Sequence, residues 1–465
     1  MEFSNCGLGE SDMFRCGAAE VDVTPDLGIR IFGDIGRPRP AEVIADPLYA
    51  KAMVLESAGK RLCFVSLDIG TMTEHWTNKI RTRAKKEYGL DPESVLIHCS
   101  QTHSAPSMGH IVCREGSPLL RPEDEWICSD ERYSPFAVDR IIESIGRAIK
   151  ALEPAKIGAA SEIDPRVAFN RRFVMRDGTV KCNPHGKDRL NILHAEGPAD
   201  PEVGVVAIQS EDALTSLMLH HTCHPTHGYP TRVISADWPG TWSDAMKAQH
   251  GGAIVPLVVN GCCGNVLHAN WADAHFINDQ KRMGTYLAES ASMALSRIQY
   301  RDSITLDAVS RKIKLPYRAI KPEELASAQK LLREHPTPKP RKDDPSCVEW
   351  DWVYAVSIVD FAETQQRSST RDYEIQVLRL GDTGLVGLDG EPFVEAQLEI
   401  KRLSPVRHTY VAHNSNGFGG YLPTKHAFKG GGYETRTANW SMFVPEALDI
   451  VTAETVKLLK EVFAK

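Results

Sequence analysis

Short apolar runs alternate with amphipathic stretches along the first part of the chain. Runs rich in apolar and β-branched residues are typical of strands, whereas apolar residues at intervals of three and four are typical of helices. The pattern predicts strands over residues 50–56, 61–67 and 94–99. It predicts helices over residues 75–88, 135–152 and 278–298. The alternation therefore predicts a mixed α/β fold.

The composition changes over residues 318–350, where a charged helical stretch over 321–334 runs into the sequence HPTPKPRKDDP. Because a Pro-rich, charged segment is poorly suited to a packed core, we predict an exposed insertion. The pattern then predicts strands over 373–380 and 384–388 and helices over 392–403 and 444–463. No repeat and no linker interrupts the pattern, so we predict one domain over residues 1–465, with mixed β-sheets layered with helices.

Composition narrows the function. Of 465 residues, 42% are hydrophobic and 25% charged, and the formal net charge is -7, so no basic surface favours nucleic acid. No apolar run is long enough to span a membrane, and the N-terminus lacks the pattern of a secretory signal. The odd count of 11 cysteines has no regular spacing, which favours free thiols in a reducing cytoplasm. We predict a cytoplasmic protein without stable membrane association.

Histidines crowd two polar segments that each follow a predicted strand. The segment VLIHCSQTHSAPSMGH places Gln101 and His103 at a strand end, where many α/β enzymes present side chains to a ligand. The segment LHHTCHPTHGYPTRVISADWPG carries four histidines and one aspartate, namely His220, His221, His224, His227 and Asp237. Imidazole and carboxylate groups from separate strand ends can bind one zinc ion, although such histidines also occur simply as hydrogen-bonded or surface residues.

Three further segments hold candidate chemistry. The turn after PLVVN contains Gly264 and Asn265, and its backbone N–H groups suit either an oxyanion site or a plain structural turn. Glu391 lies at a strand-to-helix junction, where it is either a ligand or a carboxylate favoured by the helix dipole. A glycine-rich segment, which can also be a flexible loop, carries Tyr421 and Tyr433.

In this order the segments resemble the neutral, non-lysosomal ceramidases and the bacterial proteins related to them. The resemblance rests on AAEVDVTPDLGIRIFG, SQTHSAP, FNRRFVMRDGTV, CHPTHGYPTRVISAD, NGCCGN, GEPF and SNGFGGYLPT followed by GGGYE, and spans roughly residues 16–460. It implies a ceramidase-like catalytic domain with a Zn²⁺ ion held by two histidines, a glutamate and a tyrosine. His224, Glu391 and Tyr421 stand at three of those places, while Tyr433 and Arg171 match a second tyrosine and an arginine of the family's site.

Departures from the family pattern are informative. Gln101 replaces the histidine that we align with one zinc ligand, and His103 is retained. Because a neutral amide is a poor zinc ligand, we predict that His103 binds the metal or polarises the substrate. The serine of the family's glycine-rich motif is missing, since Val266 and Leu267 follow Asn265. We also expect neither the family's C-terminal β-sandwich nor its export signal, and on that expectation we predict a soluble small-molecule substrate.

The mechanism that we predict is hydrolysis of an amide, ester or lactone by zinc-activated water, because zinc lowers the pKa of bound water from about 15.7 to about 7. The metal or Tyr433 would stabilise the oxyanion, and Arg171 would orient a polar part of the substrate. Asn265, in the glycine-rich turn, is a further catalytic candidate. His103, if it does not bind the metal, is the candidate general acid.

Two alternatives remain open. One is a binding or regulatory protein that keeps the fold without turnover. The other is a metal-independent hydrolase with Cys263 as nucleophile and His268 as base, although nothing in the sequence indicates a lowered thiol pKa.

Overall fold

The computed structural model of the protein describes residues 13–121, 124–127 and 129–464. The strands of the first half are β1 (Arg15–Asp22), β2 (Val43–Ile44), β3 (Tyr49–Ser57), β4 (Lys60–Leu67), β5 (Val95–Cys99), β6 (Glu153–Pro154), β7 (Lys156–Ile163), β8 (Phe169–Asn170), β9 (Arg172–Met175), β10 (Val180–Cys182) and β11 (Ile192–Ala195). Those of the second half are β12 (Glu202–Ser210), β13 (Ala213–His221), β14 (Val233–Ile234), β15 (Val255–Asn260), β16 (Val266–Leu267), β17 (Leu306–Pro316), β18 (Thr370–Leu380), β19 (Thr383–Leu388), β20 (Glu391–Pro392), β21 (His408–Ala412) and β22 (Tyr421–Leu422). The helices are α1 (Glu74–Tyr88), α2 (Tyr133–Lys150), α3 (Trp238–His250), α4 (Gln280–Leu295), α5 (Pro322–Glu334), α6 (Trp350–Arg367), α7 (Val394–Leu403), α8 (Lys425–Gly430) and α9 (Ala447–Phe463).

Three larger sheets follow one plan. Their strand orders are β5-β4-β3-β1-β6, β15-β13-β12-β7 and β17-β18-β19-β21. Each contains a run of antiparallel strands and one parallel pair at an edge: β4 with β5, β13 with β15, and β19 with β21. Parallel neighbours need a crossover connection, and α1, α3 and α7 lie in these three connections. The predicted mixed α/β fold is confirmed.

The parallel edges of the three sheets meet at one buried histidine. His98, on β5, donates from Nδ1 to the carbonyl of His413 after β21, at 2.6 Å. Its Nε2 accepts the backbone N–H of Asn260, at the end of β15, at 3.0 Å. Because each ring nitrogen has a fixed role, the neutral imidazole joins the carboxyl ends of strands from three sheets. Polar side chains that follow these strands are thereby brought close together.

Helices pack on the outer faces of the sheets. α2 lies against β1 and β3, α4 against β7 and β12, and α9 against β17 and β18. The apolar side chains at helical spacing in the predicted helix form one stripe on α2: Val138, Ile141, Ile142, Ile145 and Ala148 are buried, and Ile149 is partly buried. Burying such a stripe is the main source of stability for a helix on a sheet.

Three helices, α3, α6 and the short α8, were absent from the sequence pattern. In α6, every residue from Trp352 to Ile358 is buried. A helix that is covered on several sides has no polar face, so its sequence shows no helical period. For this reason the sequence pattern did not show that a helix, α6, begins at Trp350, where the predicted insertion ends.

The segment 318–350 is only partly attached to the core. Of the residues of α5, only Ala328 is buried, and α5 packs beside α6. Its final part is held more firmly, since the Val348 N–H donates to the carbonyl of Gly36 at 2.6 Å. The prediction of one domain over residues 1–465, with an insertion at 318–350, stays a prediction.

The described residues also bear on the membrane and thiol predictions. Within the described ranges, no helix is both long and apolar enough to cross a membrane. The nine cysteines in those ranges are all free thiols. Residues 1–12, on which the predicted absence of a secretory signal rests, lie outside the described residues, and the cytoplasmic location stays a prediction.

Candidate functional site

The predicted site residues lie at the converging strand ends. Gln101 and His103 follow β5, and His224 follows β13. Glu391 belongs to β20, not to the first turn of a helix, because α7 begins only at Val394. β20 pairs in parallel with β22, and this pairing puts Glu391 directly beside Tyr421.

His224 and Glu391 form the centre of the site. His224 Nδ1 donates to the backbone carbonyl of Cys263 at 2.7 Å, which leaves the lone pair of Nε2 free. Nε2 lies 3.3 Å from Glu391 Oε2. Both atoms are buried without a hydrogen-bond partner. A backbone carbonyl that fixes the tautomer of a histidine is the usual second contact of a metal-binding imidazole.

His103 lies on the other side of His224. The two ring centres are 5.4 Å apart, and His103 Nε2 is also buried without a hydrogen-bond partner. Burial, with a smaller effect of His224, lowers the pKa of His103 well below 6.5, so its imidazole is neutral and keeps a lone pair that can bind a metal. Gly33 allows this approach, because a Cβ on it would lie 2.2 Å from His103 Nδ1.

Gln101 contacts Cys263. Its backbone has a φ of 68°, in the left-handed region. Its Oε1 accepts a weak hydrogen bond from the thiol of Cys263 at 3.7 Å. The Gln101 side chain therefore has a protein partner.

Arg171 and two tyrosines enclose the site. The guanidinium of Arg171 lies over the rings of Tyr421 and Tyr433, 5.7 and 5.3 Å from their centres. Its Nη2 donates to the carbonyl of Gly264 at 2.6 Å and lies 3.4 Å from the Tyr421 hydroxyl. Burial and the Glu391 carboxylate raise the pKa of Tyr421 well above 10. Tyr433 is 36% exposed and thus forms the outer side of the group.

Asn265 is held by the protein. Its Oδ1 accepts the backbone N–H of Val394 at 2.9 Å, and its Nδ2 donates to Glu395 at 3.0 Å. These bonds fix the start of α7, directly after Glu391. The geometry gives Asn265 a supporting position, and its catalytic role stays a prediction.

Gly264 packs against the backbone that carries Glu391. A Cβ at this position would lie 2.5 Å from the Glu391 carbonyl oxygen and 2.9 Å from that of Pro392. No side chain fits there, so neither a serine nor any other nucleophile can occupy this turn position. At Gly264 the turn therefore approaches the backbone carbonyls of Glu391 and Pro392.

The pairing of Cys263 with His268 is wrong. The ring of His268 stacks on His227 at a centre distance of 3.7 Å, whereas Cys263 Sγ lies 3.6 Å from Nδ1 of His413. Burial, together with the Glu391 carboxylate, raises the pKa of the Cys263 thiol well above 9. A thiol in this environment is a poor nucleophile.

Other histidines of the segment LHHTCHPTHGYPTRVISADWPG make different contacts. His227 donates from Nδ1 to Asp237 at 2.6 Å, and Asp237 also accepts the backbone N–H of Trp238 at the start of α3. His220 stacks on Tyr410. Of the residues that the sequence suggested for one ion, His224 is the member of this cluster that faces Glu391.

Sequence reasoning missed two contributors. Tyr229 packs edge-on against His103, with ring centres 5.9 Å apart. Glu434, fully buried, lies against Arg171. The signals were a Tyr-Pro pair in the histidine-rich segment and the acidic residue directly after Tyr433, neither of which indicates a buried contact by itself.

The donor atoms fit a metal ion in type, although they do not form a closed cluster. Within residues 13–121, 124–127 and 129–464, no group of three or more His, Cys, Asp and Glu side chains is arranged to hold a metal. However, three buried atoms without partners are imidazole or carboxylate donors that zinc accepts: His103 Nε2, His224 Nε2 and Glu391 Oε2. Tyr421, beside Glu391 on the paired strand, adds a phenol oxygen.

Comparison with known proteins adds information about the fold. No protein-family model and no curated protein sequence matches the chain. The structure is similar to that of a neutral ceramidase from Pseudomonas aeruginosa, with a TM-score of 0.72 and 17% identity over 98% of this chain and 75% of that one. It is also similar to a ceramidase complexed with C2, with a TM-score of 0.70 and 18% identity over 97% and 75% of the two chains. The predicted resemblance is therefore confirmed at the level of the fold: the chain has a neutral-ceramidase-like fold.

Proposed function

We propose that this protein is a zinc-dependent hydrolase that cleaves an amide, ester or lactone bond in a small molecule. The observation that carries the proposal is the group of three buried, unpartnered atoms, His103 Nε2, His224 Nε2 and Glu391 Oε2. Leaving such atoms without partners costs free energy in a folded protein, so a ligand that satisfies all of them is the simplest reason for their presence.

In this proposal His224, Glu391, Tyr421 and His103 hold the ion. When bound, zinc supplies a Lewis acid that polarises a carbonyl group and makes water more acidic. The bond from His224 Nδ1 to the Cys263 carbonyl keeps Nε2 directed at Glu391 before any ion arrives.

The remaining side chains act on the substrate. Arg171 keeps a positive charge beside both tyrosines, where it can orient a polar group of the substrate. Tyr433, the more exposed of the two, can donate its hydroxyl proton in a hydrogen bond to an oxyanion. His103 is the candidate for passing a proton to the leaving group if it does not bind the ion; because burial keeps it neutral, it would first take that proton from the attacking water.

A metal-free binding protein is the second candidate. It is favoured by Gln101, whose amide replaces a ligand of the resembling family and bonds to Cys263. It is also favoured by the open arrangement of the donors. Such a protein would use Arg171 and the tyrosines for recognition without turnover.

Metal content decides between the two candidates. We would measure zinc per chain by mass spectrometry for the parent, His224→Ala and Glu391→Ala, with His268→Ala as a buried histidine outside the group. About one zinc in the parent and in His268→Ala, lost in the other two, would support the hydrolase. The same four proteins would be screened against N-acyl amides, esters and lactones with and without a chelator. A metal-free parent would contradict the zinc proposal and favour the binding protein.

A further inference from the structure

The guanidinium of Arg171 lies over the rings of both tyrosines of the site. Only 3% of Arg171 is exposed, so water does not stabilise its charge. Its bond to the Gly264 carbonyl and its contact with the Tyr421 hydroxyl both use Nη2. Nε of the same group is buried and makes no hydrogen bond. Bonds through one nitrogen alone do not fix the orientation of a planar guanidinium.

A buried carboxylate faces that open edge. Glu434 Oε1 lies 3.4 Å from Arg171 Nε, and Glu434 is 0% exposed. The carboxylate is itself held from two other directions. The thiol of Cys182 donates to Oε1 at 3.0 Å, and Arg172 Nη1 donates to Oε2 at 3.1 Å. Glu434 is therefore a fixed negative charge at a defined distance from Arg171.

The surrounding charges are balanced in pairs. Arg172 has a second acidic partner, Glu196, on the side away from Arg171, with Nη2 to Oε1 at 3.2 Å. The network thus contains two arginines and two glutamates, and Glu434 is the member that contacts both arginines. Because a buried charge needs a partner, removal of the Glu434 charge leaves Arg171 without an acidic partner, whereas removal of the Glu196 charge leaves Glu434 in place.

We propose that Glu434 is a positioning residue that holds the Arg171 guanidinium over Tyr421 and Tyr433 for the hydrolysis proposed above. The catalytic effect of Glu434 rests on that proposed function. The contact between Glu434 and Arg171 does not, because it exists without substrate. Glu434 acts through Arg171. It also follows Tyr433 directly in the chain, so one short segment sets both the outer tyrosine and the charge that orients the arginine.

The first test is kinetic and uses a substrate from the screen described above. Glu434→Gln keeps the shape and removes the charge, and we expect kcat/KM to fall by about 10- to 100-fold, the size of loss that a small displacement of a catalytic group causes. We expect the loss in kcat if Arg171 acts mainly in the transition state, and in KM if it acts mainly in binding. Glu196→Gln, the matched control, should change kcat/KM less than about threefold.

A double-mutant cycle separates positioning from general damage. If Glu434 acts through Arg171, then Arg171→Ala with Glu434→Gln should be no slower than Arg171→Ala alone, within about twofold. Losses that multiply would overturn the proposal, because they would mean that Glu434 acts independently. Glu434→Asp, which keeps the charge but shortens the side chain, should recover part of the activity.

The second test needs no activity. In protein labelled with ¹⁵N at arginine Nε, the Arg171 signal is identified by its loss in Arg171→Lys, and its exchange with water is measured. We expect Glu434→Gln to speed that exchange at least about 10-fold and Glu196→Gln to leave it unchanged. An unchanged Arg171 signal in Glu434→Gln would overturn the positioning role. If Glu434→Gln does not fold, Glu434→Asp is measured instead. Its shorter side chain weakens the contact with Arg171 but keeps the charge, so we expect a smaller rise in the exchange rate, and no rise at all would overturn the positioning role. If no substrate is ever found, the proposed function fails while this result still stands.

Discussion

His224 Nε2 and Glu391 Oε2 face each other at 3.3 Å, although His224 follows β13 and Glu391 lies on β20, which are strands of different sheets. Neither atom has another partner. Two acceptor-type atoms at this distance repel each other unless a proton or a cation lies between them. Their relationship therefore leads to a prediction about metal binding that does not depend on activity.

Glu391→Gln should respond in opposite ways to the absence and presence of zinc. In metal-free protein the change removes a buried, incompletely paired charge, so we expect unfolding to need about 1–3 kcal/mol more. Zinc should raise the melting temperature of the parent but not of the variant. Glu395→Gln, a nearby acid bonded to Asn265, is the control and should keep the zinc response. An equal response to zinc in all three proteins would contradict the assignment of Glu391 as a ligand.

Gly264→Ala should damage stability and metal binding together. The added Cβ would lie 2.5 Å from the Glu391 carbonyl oxygen, so the backbone that carries Glu391 must move. We expect a loss of about 1–3 kcal/mol in the free energy of unfolding and less zinc per chain. Gly252→Ala is the matched control, because a Cβ there meets nothing within 4 Å. Denaturant midpoints and zinc content of the two variants would check this, and a stable, zinc-loaded Gly264→Ala would refute it.

Cys263→Ala should keep most of the activity. The thiol is buried and its pKa is raised well above 9, so it does not supply a thiolate near neutral pH. The backbone carbonyl that holds His224 is retained in this variant. We expect kcat/KM within about threefold of the parent, and no alkylation of Cys263 by iodoacetamide in the native protein at pH 7.5. A loss above about 100-fold with normal zinc content would instead identify Cys263 as a nucleophile.

His220→Phe should make the protein less sensitive to acid. Burial lowers the pKa of His220 to about 4, and neither ring nitrogen has a hydrogen-bond partner. The unfolded chain therefore takes up a proton below pH about 6.5 that the folded chain refuses, so stability is full above that pH and falls as the pH drops to about 4. The slope is about 1.4 kcal/mol per pH unit for one such group.

Between pH 6.5 and 4 the unfolding free energy of His220→Phe should fall less steeply than that of the parent. The difference in slope should be about 1.4 kcal/mol per pH unit, the contribution of one proton. Urea unfolding at several pH values measures it. His250→Gln, at the exposed end of α3, is the control and should leave the pH dependence as in the parent. If the slope of unfolding free energy against pH is the same in His220→Phe as in the parent, then the pKa of His220 is not lowered in the folded state.

Local elements and residue types could be predicted from the sequence. The strands around residues 50–67 and the helix α2 were predicted within a few residues, because the strands are short apolar runs and the helix has apolar residues at a regular helical period. The order of the five polar segments led to the ceramidase-like fold, which the structural comparison confirms. The buried helix α6 was missed for the opposite reason, since it has no solvent-facing side to reveal its period.

The partners of each polar side chain were decided only by the tertiary structure. His220 and His221 lie side by side in sequence yet point to opposite faces of β13, and His227 turns to Asp237. Which histidine faces Glu391 depends on how three separate sheets meet, and this is set by packing between residues far apart in the chain. Sequence alone thus determined the inventory of donors and the elements that carry them. The tertiary structure decided that His224 meets Glu391, that Cys263 meets His413, and that Glu434 meets Arg171, because contact requires proximity that no local pattern records.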